Sequence, residues 1–158
     1  MQNTFSLRKF TTSDLESVTR INRECLPENY TDFFFVDLYR RFPETFVVAE
    51  EDGKVVGYMM CRIEVGLSNL GFSGLIKKGH VVSVAVMLSY RRKHIGEALV
   101  NKAMENMLVY NAKQCYLEVR ATNTPAVNLY KKLGFQVTRT IKGYYADGED
   151  AYVMTKKL

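Results

Sequence analysis

"HVVSVAVMLSYRRKHIGEALV", residues 80–100, decides how the chain folds. Its first half, His80–Met87, is apolar at nearly every position, as expected of a strand buried on both faces. Helical spacing begins near Gly96, and Arg91, Arg92, Lys93 and His94 stand between the two. Cations at a helix start oppose the macrodipole, which favours anions there by about 0.3–1 kcal/mol. A phosphate-bearing ligand would reverse that penalty, because N–H groups of Arg92 through Ala98 would point out of the helix mouth as an anion cradle. The alternative reading is a solvated loop.

Outward from this segment, the helix runs to about Tyr110 and a strand follows at Cys115–Arg120, which predicts a parallel β-α-β crossover. A further helix starts after Asn123–Thr124, with Pro125 in its first turn, and stops at Gly134. Phe135–Ile141 and Ala151–Lys156 read as strands joined by GYYADGED, where Asp147–Gly148 marks a hairpin turn. Upstream, Phe5–Lys9 alternates like a strand. Thr12, Ser13 and Asp14 offer caps for a helix carrying Leu15, Val18, Ile21 and Cys25 on one face, which Pro27 ends. Thr31 caps a second helix with Phe34, Phe35 and Leu38, finished before Pro43. Phe46–Glu50 and Lys54–Glu64 are apolar strands around Asp52–Gly53, and the stretch from Gly66 to Gly79, with four glycines, reads as a loop. The order β-α-α-β-β-β-α-β-α-β-β predicts an α/β fold: a mixed, mostly antiparallel central sheet flanked by helices, with one central parallel β-α-β unit. Ligands of such sheets bind outside the carboxyl ends of the parallel strands, here those at 80–87 and 115–120.

At 158 residues and 47% hydrophobic content, the chain reads as one domain spanning 1–158. No apolar run reaches the roughly 18 residues of a membrane span, and MQNTFSLRKF lacks the apolar stretch of a signal peptide. Cys25, Cys61 and Cys115 are odd in number and form no CxxC, as expected of reduced thiols in a cytoplasmic protein. The net charge of +5 is clustered at Lys77–Lys78, Arg91–Lys93, Lys131–Lys132 and Lys156–Lys157. That excess favours anionic partners without specifying nucleic acid, and much of it fits solvated surface.

No P-loop pattern and no GxGxxG after a strand is present. RRKHIG (91–96) instead resembles the acetyl-CoA-binding motif [QR]-x-x-G-x-[GA] of the Gcn5-related N-acetyltransferases, matching at Arg91 and Gly96 while His94 replaces the first glycine. LPENY (26–30), KGHVVSVAV (78–86), YLEVRATNTPAVNLYKKLGF (116–135) and GYYADGEDAYVM (143–154) resemble blocks of the protein N-terminal acetyltransferases of the NatA and RimI-like branches. The resemblance covers almost the entire chain. It implies direct transfer of acetyl from acetyl-CoA to the free α-amine of protein or nascent-peptide N-termini, with Ser, Ala, Thr or Gly first and Met as a wider choice. An auxiliary subunit and the ribosome are the partners it brings. Acetylation of lysine or small amines on the same scaffold is one alternative, and a catalytically silent basic RNA- or ribosome-binding module is another.

An α-amine of pKa about 7.7–8.0 is about one-tenth neutral at pH 7, so a modest base suffices. Glu118 shares a strand face with Tyr116 and Arg120, opposite Leu117 and Val119, and is the first candidate. His80 opens the adjoining strand, where its imidazole would reach the Glu118 carboxylate. The pair reads either as a base acting through water or as two ligands of a divalent metal such as zinc. By resemblance, Tyr130 is the general acid for the CoA sulfur and Asn123 holds the cofactor. The same resemblance lays the pantetheine arm along Val84, Ala85 and Val86, where a backbone N–H serves the oxyanion, and puts the diphosphate on Arg91, Arg92, Lys93, His94, Ile95, Gly96 and Glu97. Lys131 and Lys132 stand near for further CoA contacts. Glu28, Tyr30, Tyr144 and Tyr145 resemble residues that grip the first amino acid of the substrate, Glu28 also lying in the proton path. Strand parity turns Tyr145, and not Tyr144, toward the cleft.

Overall fold

A computed structural model describes residues 4–158, so Met1–Asn3 of the opening decapeptide lie outside the description. In chain order the elements are β1 (Phe5–Lys9), α1 (Leu15–Cys25), α2 (Asp32–Arg41), β2 (Phe46–Glu51), β3 (Lys54–Leu67), β4 (Leu75–Val86), α3 (Ile95–Met107), β5 (Gln114–Arg120), α4 (Thr124–Lys132), β6 (Gln136–Ile141) and β7 (Ala151–Lys157). The expected element order is the observed one. The seven strands form one sheet in the order β1-β2-β3-β4-β5-β7-β6, antiparallel throughout except between β4 and β5.

Local chemistry sets the boundaries. The Thr31 side chain accepts the Phe34 amide at 3.2 Å to start α2, and the Asn123 side chain accepts the Ala126 amide at 3.3 Å to start α4. Gly134, at φ +99°, takes the left-handed turn that ends α4. The helices cover both sheet faces. On one, α3 and α4 bury Leu99, Ala103, Met107 and Val127 against Val47, Met59, Cys61 and Leu117. On the other, α1 and α2 bury Val18, Ile21, Phe35 and Leu38 against Phe46, Val48, Tyr58 and Met60.

The largest correction concerns the stretch from Gly66 to Gly79. It is not a loop: β3 continues to Leu67 and β4 begins at Leu75, leaving only residues 68–74 as the connection. Gly79 sits inside β4 because a Cβ there would meet Met107 Sδ at 2.2 Å; the glycine makes room for α3. The third helix also starts one residue earlier than its spacing suggests, at Ile95, and closes in a 3₁₀ turn at Leu108–Tyr110.

Candidate active site

β4 and β5 are ladder partners only from Lys78–Gln114 to His80–Tyr116, although both strands run on. The cause lies in β4, where Met60 pairs with Ser83 and Cys61 with Val81, so Val82 is an extra residue. Such a bulge bends its strand and ends regular pairing. Past it, Val81–Val86 and Leu117–Arg120 splay apart, and a cavity of about 340 Å³ opens between them. Its wall includes Tyr130, Asn123 and Ala126 from the α3/α4 side, and Glu28, Tyr30 and Tyr144 from the α1/α2 side. The cavity therefore pierces the sheet and joins its two faces.

Glu118 stands on this wall, and its Oε2 lies 2.6 Å from His80 Nε2, the contact that strand parity predicts. The His80 ring stacks on Tyr116 with centroids 4.5 Å apart and planes 3° from parallel. Its Nδ1 is 3.2 Å from Glu64 Oε2 but at an angle that makes no hydrogen bond, which leaves that buried nitrogen unpartnered. Burial is the largest influence on Glu64 and raises its pKa, yet the Tyr116 hydroxyl, His80 and Arg62 together hold it below the usual carboxylate value. The metal reading of His80 and Glu118 does not fit this arrangement. One ring nitrogen already faces Glu118, the other faces Glu64 in the opposite direction, and among the described residues no group of three His, Cys, Asp or Glu converges on a point.

Tyr130 is 8% exposed, packs its ring against Phe135 at 5.7 Å, and also lines the cavity. Burial pushes its hydroxyl up to about 12. Across the cavity, the LPENY segment is folded around one buried side chain, Asn22. It donates to the Glu28 carbonyl at 3.0 Å and to Tyr58 Oη at 3.1 Å, and accepts the Tyr30 amide at 3.2 Å. Tyr58 Oη also bonds Ser83 Oγ at 2.7 Å, so the substrate-side segment is tied to β4 beside the bulge. Tyr30 stacks on Phe34 at 4.9 Å and donates to the Val82 carbonyl at 3.4 Å.

Arg120 organises the mouth. It lies 3.2 Å from Glu28, 2.8 Å from Asp147 and 2.7 Å from Glu149, with its guanidinium 4.1 Å from the Tyr145 ring centroid. Two loops are thus drawn together over one cation. Both Tyr144 and Tyr145 line the cavity, which corrects the choice of Tyr145 alone. The parity argument fails because residues 142–150 form a connection between strands rather than strand, and the two rings pack edge-to-face at 4.9 Å.

Of the residues read as cofactor contacts, Val84 and Asn123 line the cavity, whereas Arg91 to Glu97, Lys131 and Lys132 lie outside it. Ala85 and Ile95 bury their side chains in the two cores, so only their backbones remain for a ligand. Arg92 and His94 both adopt φ +64°, a region histidine enters more readily than most residues. Arg91 Nε donates to the Val86 carbonyl at 3.0 Å, and Lys93 Nζ lies 3.4 Å from Glu51 Oε1. Lys132 Nζ, 3.2 Å from Glu97 Oε2, links the end of α4 to the first turn of α3 and holds Glu97 below the usual carboxylate value. The cations at the start of α3 are thus partly neutralised by protein groups, while its first-turn amides face outward as in any helix. Asn22, Glu64 and the bridging role of Arg120 are absent from the sequence reading. A polar Asn22 beside Ile21 and Cys25 on the buried stripe of α1 was the available signal for the first.

Residues 15–135 match the model of the acetyltransferase (GNAT) family. The chain is 52% identical over 156 residues to an N-alpha-acetyltransferase of Sulfurisphaera tokodaii, covering 98% of this chain and 93% of that protein. A crystal structure of Ard1 from Thermoplasma volcanium is similar at 32% identity and TM-score 0.83, covering 98% of each chain. Naa50 of Arabidopsis thaliana, in complex with the bisubstrate analogue CoA-Ac-MVNAL, is similar at 27% identity and TM-score 0.83, over 98% of this chain and 99% of that one.

Proposed function

The chain belongs to the acetyltransferase (GNAT) family, and from that premise we propose that it is a protein N-alpha-acetyltransferase, moving acetyl from acetyl-CoA to the free α-amine of protein N-termini. One observation carries the reading: the cavity passes through the sheet between β4 and β5. Two substrates approaching from opposite faces meet inside it, the cofactor from the α3/α4 side and the peptide past Glu28, Tyr30, Tyr144 and Tyr145. Small first residues such as Ser, Ala, Thr and Gly, with Met beside them, are the expected N-termini.

On this reading the start of α3 and its basic approach, Arg91 to Glu97, hold the CoA diphosphate. Val84–Val86 offer backbone groups to the pantetheine arm, an amide there serving the oxyanion. Glu118 takes the proton of the amine, directly or through one water, and His80, whose Nε2 lies 2.6 Å from its Oε2, holds the carboxylate in place. Tyr130, on the cavity wall, is the group offered to the leaving sulfur. A hydroxyl near 12 stays protonated, but full transfer to a thiolate whose conjugate acid lies near 8.5 is uphill. It therefore acts as a hydrogen-bond donor to the departing thiolate, which then takes its proton from solvent. Asn123 lines the same cavity. No step is routed through a metal, because His80 and Glu118 do not form a site that fits one.

Among the described residues no helix is long and apolar enough to cross a membrane, and the three cysteines are free. We propose the cytoplasm as its compartment, on the expectation that Cys25, Cys61 and Cys115 are reduced thiols. An auxiliary subunit and the ribosome are the partners we propose for it. The test is incubation with acetyl-CoA and peptides beginning with free Ser, Ala or Met, or with acetyl-blocked Ser carrying an internal Lys. Acetylation of the free N-termini is expected; acetylation of the blocked peptide alone overturns the reading.

A further inference from the structure

A second cavity, about 310 Å³, lies on the α1/α2 side of the sheet beyond the cover of those helices. Glu118 borders both cavities, so they meet at the group proposed to receive the amine proton. Two cations line the second one, Lys78 from β4 and Arg139 from β6. Lys78 Nζ is steered by Asn69 Oδ1 at 3.2 Å and sits 4.9 Å from the Tyr116 ring centroid. Among the described residues neither cation has a carboxylate within 4.0 Å, whereas Arg62 and Arg120 nearby are paired with Glu64, Glu28, Asp147 and Glu149. The one carboxylate on the wall, Glu118, is already engaged by His80. Ile141 and Val153 supply an apolar floor. Two unpaired cations above apolar surface suit the side chain of an aspartate or glutamate, whose methylenes rest on the floor while its charge meets the cations.

We propose that this second cavity is a subsite for an acidic side chain a few residues downstream of the substrate's N-terminus. The proposal rests on the N-alpha-acetyltransferase reading, which puts the amine at Glu118. The second cavity is walled by β6 up to Ile141, and the chain then passes straight into the segment whose Tyr144 and Tyr145 wall the first. A peptide leaving Glu118 along the base of that segment advances about 3.3–3.6 Å per residue. Because Glu118 borders both cavities, the residue that reaches the second one lies within the first few positions after the N-terminus.

The experiment walks a single Glu through positions 2–6 of an otherwise neutral Ser-initiated peptide, with Gln and Lys at the same positions as controls. Wild type, Lys78→Gln, Arg139→Gln and the double variant are compared by steady-state kinetics. At one or two of positions 2–6, Glu should lower KM about five- to tenfold relative to Gln, and Lys should raise it. In the double variant the advantage should fall below twofold while kcat on the neutral peptide is unchanged; Arg139→Gln, at an exposed edge position, carries the test if Lys78→Gln perturbs folding. No position with a twofold Glu preference, or a preference that survives the double variant, overturns the subsite. A wild type that acetylates no free N-terminus, acidic or neutral, overturns the parent reading and the subsite with it, whereas neutral peptides acetylated without any Glu effect overturn the subsite alone.

Discussion

Replacing Glu118 by Gln tests the proposed proton acceptor with little disturbance around it. The amide keeps the side chain's size, and its oxygen still accepts from His80 Nε2, now 2.6 Å from the carboxylate, so the fold should persist. General acid–base catalysis is worth about 10²–10⁴-fold. Part of that work is already done, because about one-tenth of an α-amine is neutral at pH 7. Removing one decade leaves about 10–10³, and we expect kcat to fall about 100-fold at pH 7, or about 2.7 kcal/mol of barrier. At pH 9 most of the amine is neutral without help, so the deficit should shrink to about tenfold, the residue belonging to the transition state. The assay is thiol release from acetyl-CoA across pH 6.5–9, with the cofactor Kd measured by calorimetry as a control. A loss smaller than threefold at pH 7, or a Kd that weakens as much as kcat falls, would refute the reasoning.

Tyr130→Phe keeps the ring in its core position against Phe135 and removes only the hydroxyl, so kcat should drop about tenfold with the urea midpoint almost unmoved. Asn22→Ala strands the Glu28 carbonyl and the Tyr30 amide and leaves Tyr58 Oη with Ser83 alone; stability should fall by about 2–3 kcal/mol in urea titration, and peptide KM should rise while acetyl-CoA affinity holds. Asp14 is nearly buried, and although burial alone would raise its pKa, the Arg8 guanidinium at 2.8 and 2.9 Å and the Thr11 amide hold it below the usual carboxylate value. A pKa depressed in the folded state gives stability that is complete above the unfolded value and lost as pH falls through the folded one. Urea midpoints of wild type and Asp14→Asn should therefore differ at pH 7 and draw together as pH falls below the ordinary carboxylate range.

Alternation and capping carried most of the architecture into view from sequence. HVVSVAVM, the Thr31 and Asn123 caps and the glycine at 134 state local preferences that tertiary packing reinforces, and the elements they predict are present. At Gly66 and Gly79 the loop expectation fails: both lie inside strands, Gly79 serves a distant helix, and nothing local announces Met107. Glu118 and His80 could be paired because period-two parity and one parallel crossover bring them to adjacent strands. Asn22 and Arg120 were harder, since their partners at Tyr58, Asp147 and Glu149 are set by three-dimensional closure of separate segments. The second cavity was invisible for the same reason, with Lys78 and Arg139 far apart in sequence.

The early end of the β4–β5 ladder has a thermodynamic consequence. Backbone groups along Val81–Val86 and Leu117–Arg120 face a seam that the protein does not stitch by itself, so a molecule bonding across it acts as a missing rung of the sheet. Binding of that kind couples to global unfolding: at a free concentration one hundred times Kd it adds about 2.7 kcal/mol to the native state. The melting point of this protein should therefore climb with the logarithm of acetyl-CoA concentration, making its resistance to heat a gauge of how much acetyl donor surrounds it.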